Sequence, residues 1–233
     1  MTLLLWIAAR WTRPRRIQSR TPEWEQKRRE FGNSLVTVGI FAVNGIGIFA
    51  GARAGIFHVS DALPAWWLGL LEFAAIVLAH DAYFYWMHRG LHARAMFRIA
   101  HLEHHKSRTP TPWAAYSFAP LEGGFEAMFM PIFLLFVPMH AVVVIAFVLH
   151  QISRNVLGHM GHELAWPGFT RSRWTGWLTT TTHHDLHHSQ GRYNFGLYFT
   201  WWDRWMGTEH PLYHDAFETA AQPWFGRRKD AIA

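Results

Sequence analysis

From Ser34 to Ala52 the chain reads SLVTVGIFAVNGIGIFAGA, with no charged side chain. A stretch of this length matches the ~20 residues that carry a helix across the hydrocarbon of a bilayer. Two further apolar blocks follow. Residues 63–87 open with Pro64 and the pair Trp66 and Trp67, and carry Glu72, His80 and Asp81. Ionisable groups inside a span are costly, so this block predicts either a polar interior or a span that ends early. Residues 125–151 are too short for two full spans and long for one, with Pro138 near the middle as a break. A short helical hairpin is the expectation, and a single tilted span is the alternative.

Hydrophobic residues make up 50% of the chain and charged ones only 16%, against roughly 25% charged in soluble domains. The formal charge of +6 flanks the apolar blocks rather than forming a stripe, which fits orientation against a membrane and not nucleic acid. Arg and Lys crowd residues 1–30, 88–108 and the tail after Gln151, while the loop between the first two spans has only Arg53. Positive-inside counting puts those three segments on the cytoplasmic side. MTLLLWIAARWTRPRR has its apolar part before its charge, the wrong order for a signal peptide. Residues 1–30 therefore read as a basic, cytoplasmic or interfacial arm, with a helix in TPEWEQKRRE capped by Thr21 and led by Pro22. FGRRKDAIA reads as a loose tail.

The chain has no cysteine. Disulfides and thiolate ligands are excluded, and any metal must be held by His, Asp or Glu. Histidines gather in the same basic segments. HRGLH carries His88 and His92, HLEHH carries His101, His104 and His105, and HDLHH carries His184, His187 and His188. Residues i, i+3 and i+4 share a helix face, so each box can aim its imidazoles at one centre. With His159 the count is nine. One metal takes about four to six ligands, so the inventory suits two metals. Imidazole serves zinc, iron, copper and nickel alike.

His162 and His183 are second-rank ligands, and His150 and His80 rank no higher. His58, His140, His210 and His214 read as ordinary histidines. Asp81, Glu103, Asp185 and Glu163 lie in or beside the boxes, where a carboxylate can accept the other ring N–H of a ligand. Each is equally readable as a solvated acid or cap. Trp113, Tyr116, Phe118 and YFTWW are possible pocket walls.

The segments DAYFYWMHRGLH, HLEHHKS with TPTPWAAYSFAPLEG, and HHDLHHSQGRYNFGLYFTWWDRWMGT resemble the fatty acid hydroxylase/sterol desaturase superfamily. The resemblance runs from about Asp81 to Thr208 with the boxes in the family's order. It implies a membrane-bound non-haem di-iron oxidase that uses O2 as co-substrate. The ligands it implies are His88, His92, His101, His104, His105, His184, His187 and His188, with His159 matching a histidine often placed between the last two boxes. The expected reaction is hydroxylation or desaturation of an unactivated C–H of a lipid, whether sterol-like, fatty acyl or isoprenoid. No G-x-G-x-x-G opens a helix, so electrons must come from a separate ferredoxin or cytochrome-type partner.

The expected fold class is all-α. It is a single membrane domain, a helical bundle of about four membrane-embedded helices, the third and fourth forming the hairpin. Residues 88–120 and 152–215 form a cytoplasmic histidine-rich helical cap. The protein is expected to be multi-pass, in the inner membrane if bacterial. The chief rival is a di-zinc lipid hydrolase with Glu103 or Glu163 as base. A metal transporter or haem carrier would put the histidines inside the spans, and structural metal binding needs four ligands.

Overall fold

The computed structural model describes residues 12–223. Residues 1–11 of the basic arm and the FGRRKDAIA tail lie outside them. The fold is a bundle of long apolar helices topped by short helices and loops that carry the histidines.

Helix α1 (Trp24–Arg53) has 30 residues, about 45 Å of helix. It starts well before the apolar stretch, so the end of the expected arm is its first turns. Thr21 does not cap it. The helix begins at Trp24, with Glu23 extended at the N-cap and no side-chain cap. Pro22 disfavours helical backbone at the residue before it, which keeps Thr21 out of the helix. After strand β1 (Val59–Ser60), α2 (Trp66–Leu91) runs for 26 residues and delivers the first box.

The 125–151 region is a hairpin. Helix α5 (Pro120–Phe136) has 17 residues and contains Pro131. Strand β2 (Met139–His140) makes the turn, and α6 (Ala141–Gly158) returns over 18 residues. Between α2 and α5 lie α3 (Arg94–Met96), a π-helical turn (Phe97–His101) and α4 (Leu102–His105). The cap is completed by α7 (Thr181–Gln190), α8 (Trp201–Trp205) and α9 (Tyr213–Ala220).

Three helices, α1, α2 and α6, are long and apolar enough to cross a membrane. Helix α5 is shorter, about 25 Å against a hydrocarbon core of ~30 Å. At the far end β1 pairs in parallel with β2. There Glu72 accepts from the His140 backbone N–H at 3.1 Å and from its ring Nδ1 at 2.7 Å. Glu72 thus fastens the hairpin turn to α2.

Ile76, Phe84, Phe129, Phe147, Leu134 and Tyr198 form the centre of the bundle. Leu35, Val43, Ile46, Leu70 and Ile145 point outward from the spans, as lipid-facing side chains must. The described part of the arm is packed rather than loose. Arg15 is 1% exposed, and its guanidinium donates to the carbonyls of Glu163, Ala165 and Gln222. Gln18 donates to Asp185 Oδ1 at 2.9 Å and to the Arg108 carbonyl at 2.8 Å. The arm therefore straps the second box to the third.

Candidate metal centre

The last turns of α2 rise out of the bundle with His88 on the helix and His92 at its C-cap. The π turn and α4 bring His101, His104 and His105 over them. Helix α7 descends from the other side, its start fixed by the Thr180 hydroxyl accepting the His183 N–H. His159 caps the end of α6.

The nine rings sort into two groups. His88, His92, His101, His105 and His187 form one, and His104, His159, His184 and His188 the other. Within each group the ligand nitrogens lie within 4.8 Å of one another. No box serves a single group unless it has only two members. The second box sends His101 and His105 to the first group and His104 to the second. The third sends His184 and His188 to the second group and His187 to the first. Helix geometry explains this: at about 100° per residue, positions i+3 and i+4 fan to either side of position i. The pair at i and i+4 turns one way and the i+3 ring the other.

His88 and His101 cannot be hydrogen-bonded to each other, and the Nε2 atoms of His159 and His187 cannot donate to a neighbouring ring. His88 Nδ1 donates to the Phe195 carbonyl at 2.9 Å, and His187 Nδ1 to the Tyr193 carbonyl at 2.7 Å. His159 Nδ1 donates to the Asn155 carbonyl at 2.8 Å, and His101 Nδ1 to Glu122 Oε1 at 2.7 Å. A neutral imidazole carries one proton, so the Nε2 of each of these rings is a bare lone pair. Yet His88 and His101 face each other Nε2 to Nε2 at 3.1 Å. His105 Nε2 lies 3.0 Å from His187 and 3.1 Å from both His101 and His92. In the second group His184 Nε2 is 2.9 Å from His159 and 3.1 Å from His188.

Lone pairs converging in a buried site repel unless a cation lies among them. Nitrogens bound at ~2.1 Å stand about 3.0 to 3.4 Å apart along the edges of an octahedron or tetrahedron, so the spacings fit metal ligation. Protonation is the other escape, and burial opposes it. It pushes His105 down to about 3 and His159 to about 4, and holds His104, His184, His187 and His188 well below the ordinary range.

The acids sit differently from expectation. Asp81 accepts from the backbone N–H groups of Tyr198 and Phe199 at 2.9 and 3.2 Å, and not from a ring. Glu103, two residues from both His101 and His105, points away from the centre to Arg29, Asn33 and Lys106. Asp185 turns from the rings to Gln18, and burial pushes its carboxyl up to about 7. Glu163 takes the Thr182 N–H and hydroxyl and the Ala165 N–H. Among the described residues, the acid that meets a ring of the two groups is Glu122 on α5, 1% exposed. Sequence reasoning missed it because no histidine is near it in the chain. Its only signal was its place in TPTPWAAYSFAPLEG.

His162 and His183 join neither group. Gly161 turns the chain at φ 69°, and His162 Nδ1 donates to the Met160 carbonyl instead. His183 Nε2 lies 3.3 Å from Asp203 Oδ2. His80 meets the Tyr198 hydroxyl at 2.9 Å, and His150 packs on Tyr198 and Phe73. Of the aromatic walls, Phe118 lies against His104 and Trp113 against Phe31 on α1. A cavity lined by Arg154, His159, Glu163, Thr179, Thr180 and His184 borders the second group.

Asp203 organises the loop that carries the Tyr193 and Phe195 carbonyls. Its oxygens accept from the Phe195 and Gly196 N–H groups, both at 2.8 Å, and from the Thr208 hydroxyl at 2.7 Å. Gly196 is required there, because a Cβ would stand 2.6 Å from the Phe199 carbonyl.

The fatty acid hydroxylase family model matches residues 73–208, the stretch that holds every ring of both groups. The chain belongs to the fatty acid hydroxylase family. It is 28% identical to lathosterol oxidase of Homo sapiens over 187 residues, 78% of this chain and 61% of that protein. With lathosterol oxidase of Mus musculus the figures are 31% over 150 residues, 64% and 48%. With a Delta(7)-sterol 5(6)-desaturase of Gibberella zeae they are 29% over 177 residues, 76% and 48%. The chain thus spans about half to three-fifths of the length of these relatives. No solved structure matches it. This family member is an α-helical membrane protein with a histidine-rich cluster at one end of its bundle.

Proposed function

We propose that the chain is an O2-dependent oxidase that hydroxylates or desaturates an unactivated C–H of a membrane lipid, with two irons held by the nine histidines. The observation that carries this reading is the convergence of nine imidazoles in two adjacent groups of five and four, in which the Nε2 atoms of His88, His101, His159 and His187 are lone pairs aimed inward. Such an array suits a pair of divalent ions and exceeds what one ion uses. Family membership and the sterol-oxidising relatives support a lipid substrate.

Bound there, the two irons supply the binding and reduction of dioxygen. The protein's own groups do the rest. Backbone carbonyls and Glu122 fix the tautomers of His88, His101, His159 and His187, so each Nε2 stays aimed inward. Burial keeps the rings neutral. Hydroxylation of R–H by O2 with two electrons and two protons gives R–OH and water. Desaturation uses the same electrons and protons and gives the alkene and two waters. The electrons come from a separate ferredoxin or cytochrome-type protein, and the basic cap suits an acidic donor on the cytoplasmic side.

The hydrolase rival loses support from the acids. Glu103 points outward and Glu163 is committed to Thr182 and Ala165, so neither is placed as a base beside the rings. Elemental analysis of protein purified anaerobically in mild detergent tests the proposal, on wild type and His104→Ala. About two irons per chain, reduced in the variant, with O2 uptake on adding lipid and reductant, is the expected result. Stoichiometric zinc without iron from iron-replete cells overturns it.

A further inference from the structure

Beside the first histidine group stands a row of aromatic rings that no ligand role uses. Tyr85 lies three residues before His88 on α2, so the two share a helix face. The Phe195 ring joins them, 6.2 Å from Tyr85 and 5.7 Å from His88. Tyr85 also stacks on Trp202 of α8, at 5.8 Å with the ring planes 20° apart. Trp202 in turn lies 5.4 Å from Trp205 and 5.8 Å from Trp86. Tyr85 is fully buried and Trp205 is 64% exposed. The row therefore runs from a ring of the centre to the surface, each ring in contact with the next.

The Tyr85 phenol has a directed path for its proton. Arg89 Nη1 donates to its oxygen at 3.2 Å. The Thr208 hydroxyl spends its one hydrogen on Asp203 Oδ1 at 2.7 Å. In the 2.9 Å bond between Tyr85 and Thr208 the phenol is therefore the donor. A buried tyrosine needs one partner for its hydroxyl; this one has two and a relay to a buried carboxylate. In a chain without cysteine, phenol and indole are the side chains that most readily give up a single electron. Phenol does so when its proton can leave at the same time.

Building on the oxidase reading, we infer that Tyr85, Trp202 and Trp205 form a protective electron path that supplies the metal centre when O2 has been taken up and no lipid C–H is in place. Tyr85 gives up one electron toward His88. Its proton moves to Thr208 Oγ1 as the Thr208 hydrogen moves to Asp203 Oδ1. Trp202 then gives an electron to the Tyr85 phenoxyl, both protons step back, and Trp205 gives an electron to Trp202. A thiol or other one-electron reductant in solution restores Trp205. Two such passages, with the two electrons of the donor protein and four protons from water, reduce O2 to two waters. Arg89 stands over the Trp86 ring at 5.7 Å. Its charge disfavours a positive hole there, which leaves Trp205 as the exit.

Two measurements on the full chain in detergent test this. In the first, iron-loaded protein is reduced with just enough dithionite and mixed with O2 without lipid. Freeze-quench electron paramagnetic resonance looks for radicals, and peptide mass spectrometry maps oxygen adducts. Wild type should show a tyrosyl or tryptophanyl radical and carry its adducts at Trp205. Trp202→Phe keeps a ring but not the readily lost electron, and should shift adducts to Tyr85 and the first histidine group. Trp205→Phe, at an exposed position with less risk to the fold, should move them inward to Trp202. In the second, zinc-loaded protein is exposed to pulse-generated azide radicals, which oxidise indoles. The indolyl absorption should convert to that of a phenoxyl, and Tyr85→Phe or Trp202→Phe should lose most of that conversion. Metal content equal to wild type shows that the variants fold. The same adducts in wild type and both tryptophan variants, or a conversion that neither substitution lowers, overturns the inference and leaves the rings as packing. Wild type that holds no iron, or takes up no O2, overturns the oxidase reading and the inference with it; iron and O2 uptake with unmoved adducts overturns the inference alone.

Discussion

His88 and His101 face each other Nε2 to Nε2 at 3.1 Å, and neither nitrogen carries the ring's proton. The pair is stable only with a cation beside it. Stripping the metal from the purified protein should therefore lower its melting temperature in detergent, and re-adding ferrous iron should restore it. A melting temperature indifferent to a strong chelator, with metal loss verified, contradicts the ligand assignment.

The same burial sets the acid response of the metal-free protein. His105 and His159 are held at about 3 and about 4, against an ordinary value of 6.5. Below 6.5 the unfolded chain takes up protons that the folded one refuses, so stability is whole above that pH and falls as pH drops toward 4. Each such ring contributes up to about 1.4 kcal/mol per pH unit in that window. Thermal melts of the metal-free protein between pH 7.5 and 5, points chosen to bracket about 6.5, should show a steady decline. A flat profile would mean that the rings are already protonated or exposed.

Among the described residues, Glu122 is the one carboxylate that holds a ring of the centre, at 2.7 Å from His101 Nδ1. Glu122→Ala should weaken binding at the first group by roughly 10- to 100-fold, as loss of a ligand's outer partner commonly does. Glu122→Gln keeps an oxygen that can accept the ring N–H and should fall between. Competition with a chromophoric chelator measures this. Equal affinity in all three proteins would show that His101 is oriented by packing alone.

His159 and His162 separate ligand from neighbour. His159→Ala removes one of four nitrogens from the second group and should cost that metal. His162→Ala removes a ring that, among the described residues, bonds only to the Met160 carbonyl and should leave metal content at the wild-type level. The reverse ranking in elemental analysis would mean that His162, and not His159, completes the second group.

Much of this architecture was legible because membrane length and helix periodicity are local properties. The uncharged run from Ser34 to Ala52 and the break at Pro138 state their own geometry. The boxes likewise announced which histidines would meet. Their division between two groups was less visible, since it depends on how α4 and α7 are rotated against each other. The partners were least visible. Phe195 and Tyr193 act through backbone carbonyls, which any residue supplies, and Glu122 reaches His101 from a helix 21 positions along the chain. Proximity in sequence favoured Glu103 and Asp185, but a residue adjacent to a ligand on a helix points about 100° away from it, and Asp81 lies about two turns, roughly 10 Å, along α2 from His88.

Asp203 anchors the loop that supplies those two carbonyls at Phe195 and Gly196. Asp203 is fully buried, and burial alone would raise its pKa. The neighbouring His183 ring, together with hydrogen bonds from the Thr208 hydroxyl and the Gly196 N–H, outweighs that and holds it below the usual carboxylate value. Asp203→Ala strands the Phe195 and Gly196 N–H groups, each worth roughly 1–3 kcal/mol when buried without a partner. The Phe195 and Tyr193 carbonyls then lose their position, and His88 and His187 their tautomer lock. Both rings belong to the first group, while the second takes its backbone anchor from Asn155 on α6. Metal content should therefore fall from about two toward one per chain, with the ion at the second group retained. Gly196→Ala should give the same partial loss by another route, because its Cβ would lie 2.9 Å from Asp203 Oδ2. Elemental analysis after mild dialysis reads the ratio, and Asp203→Asn, which keeps one acceptor oxygen, should retain more metal than Asp203→Ala. Equal loss of both ions would show that the loop supports the whole cap and not the first group.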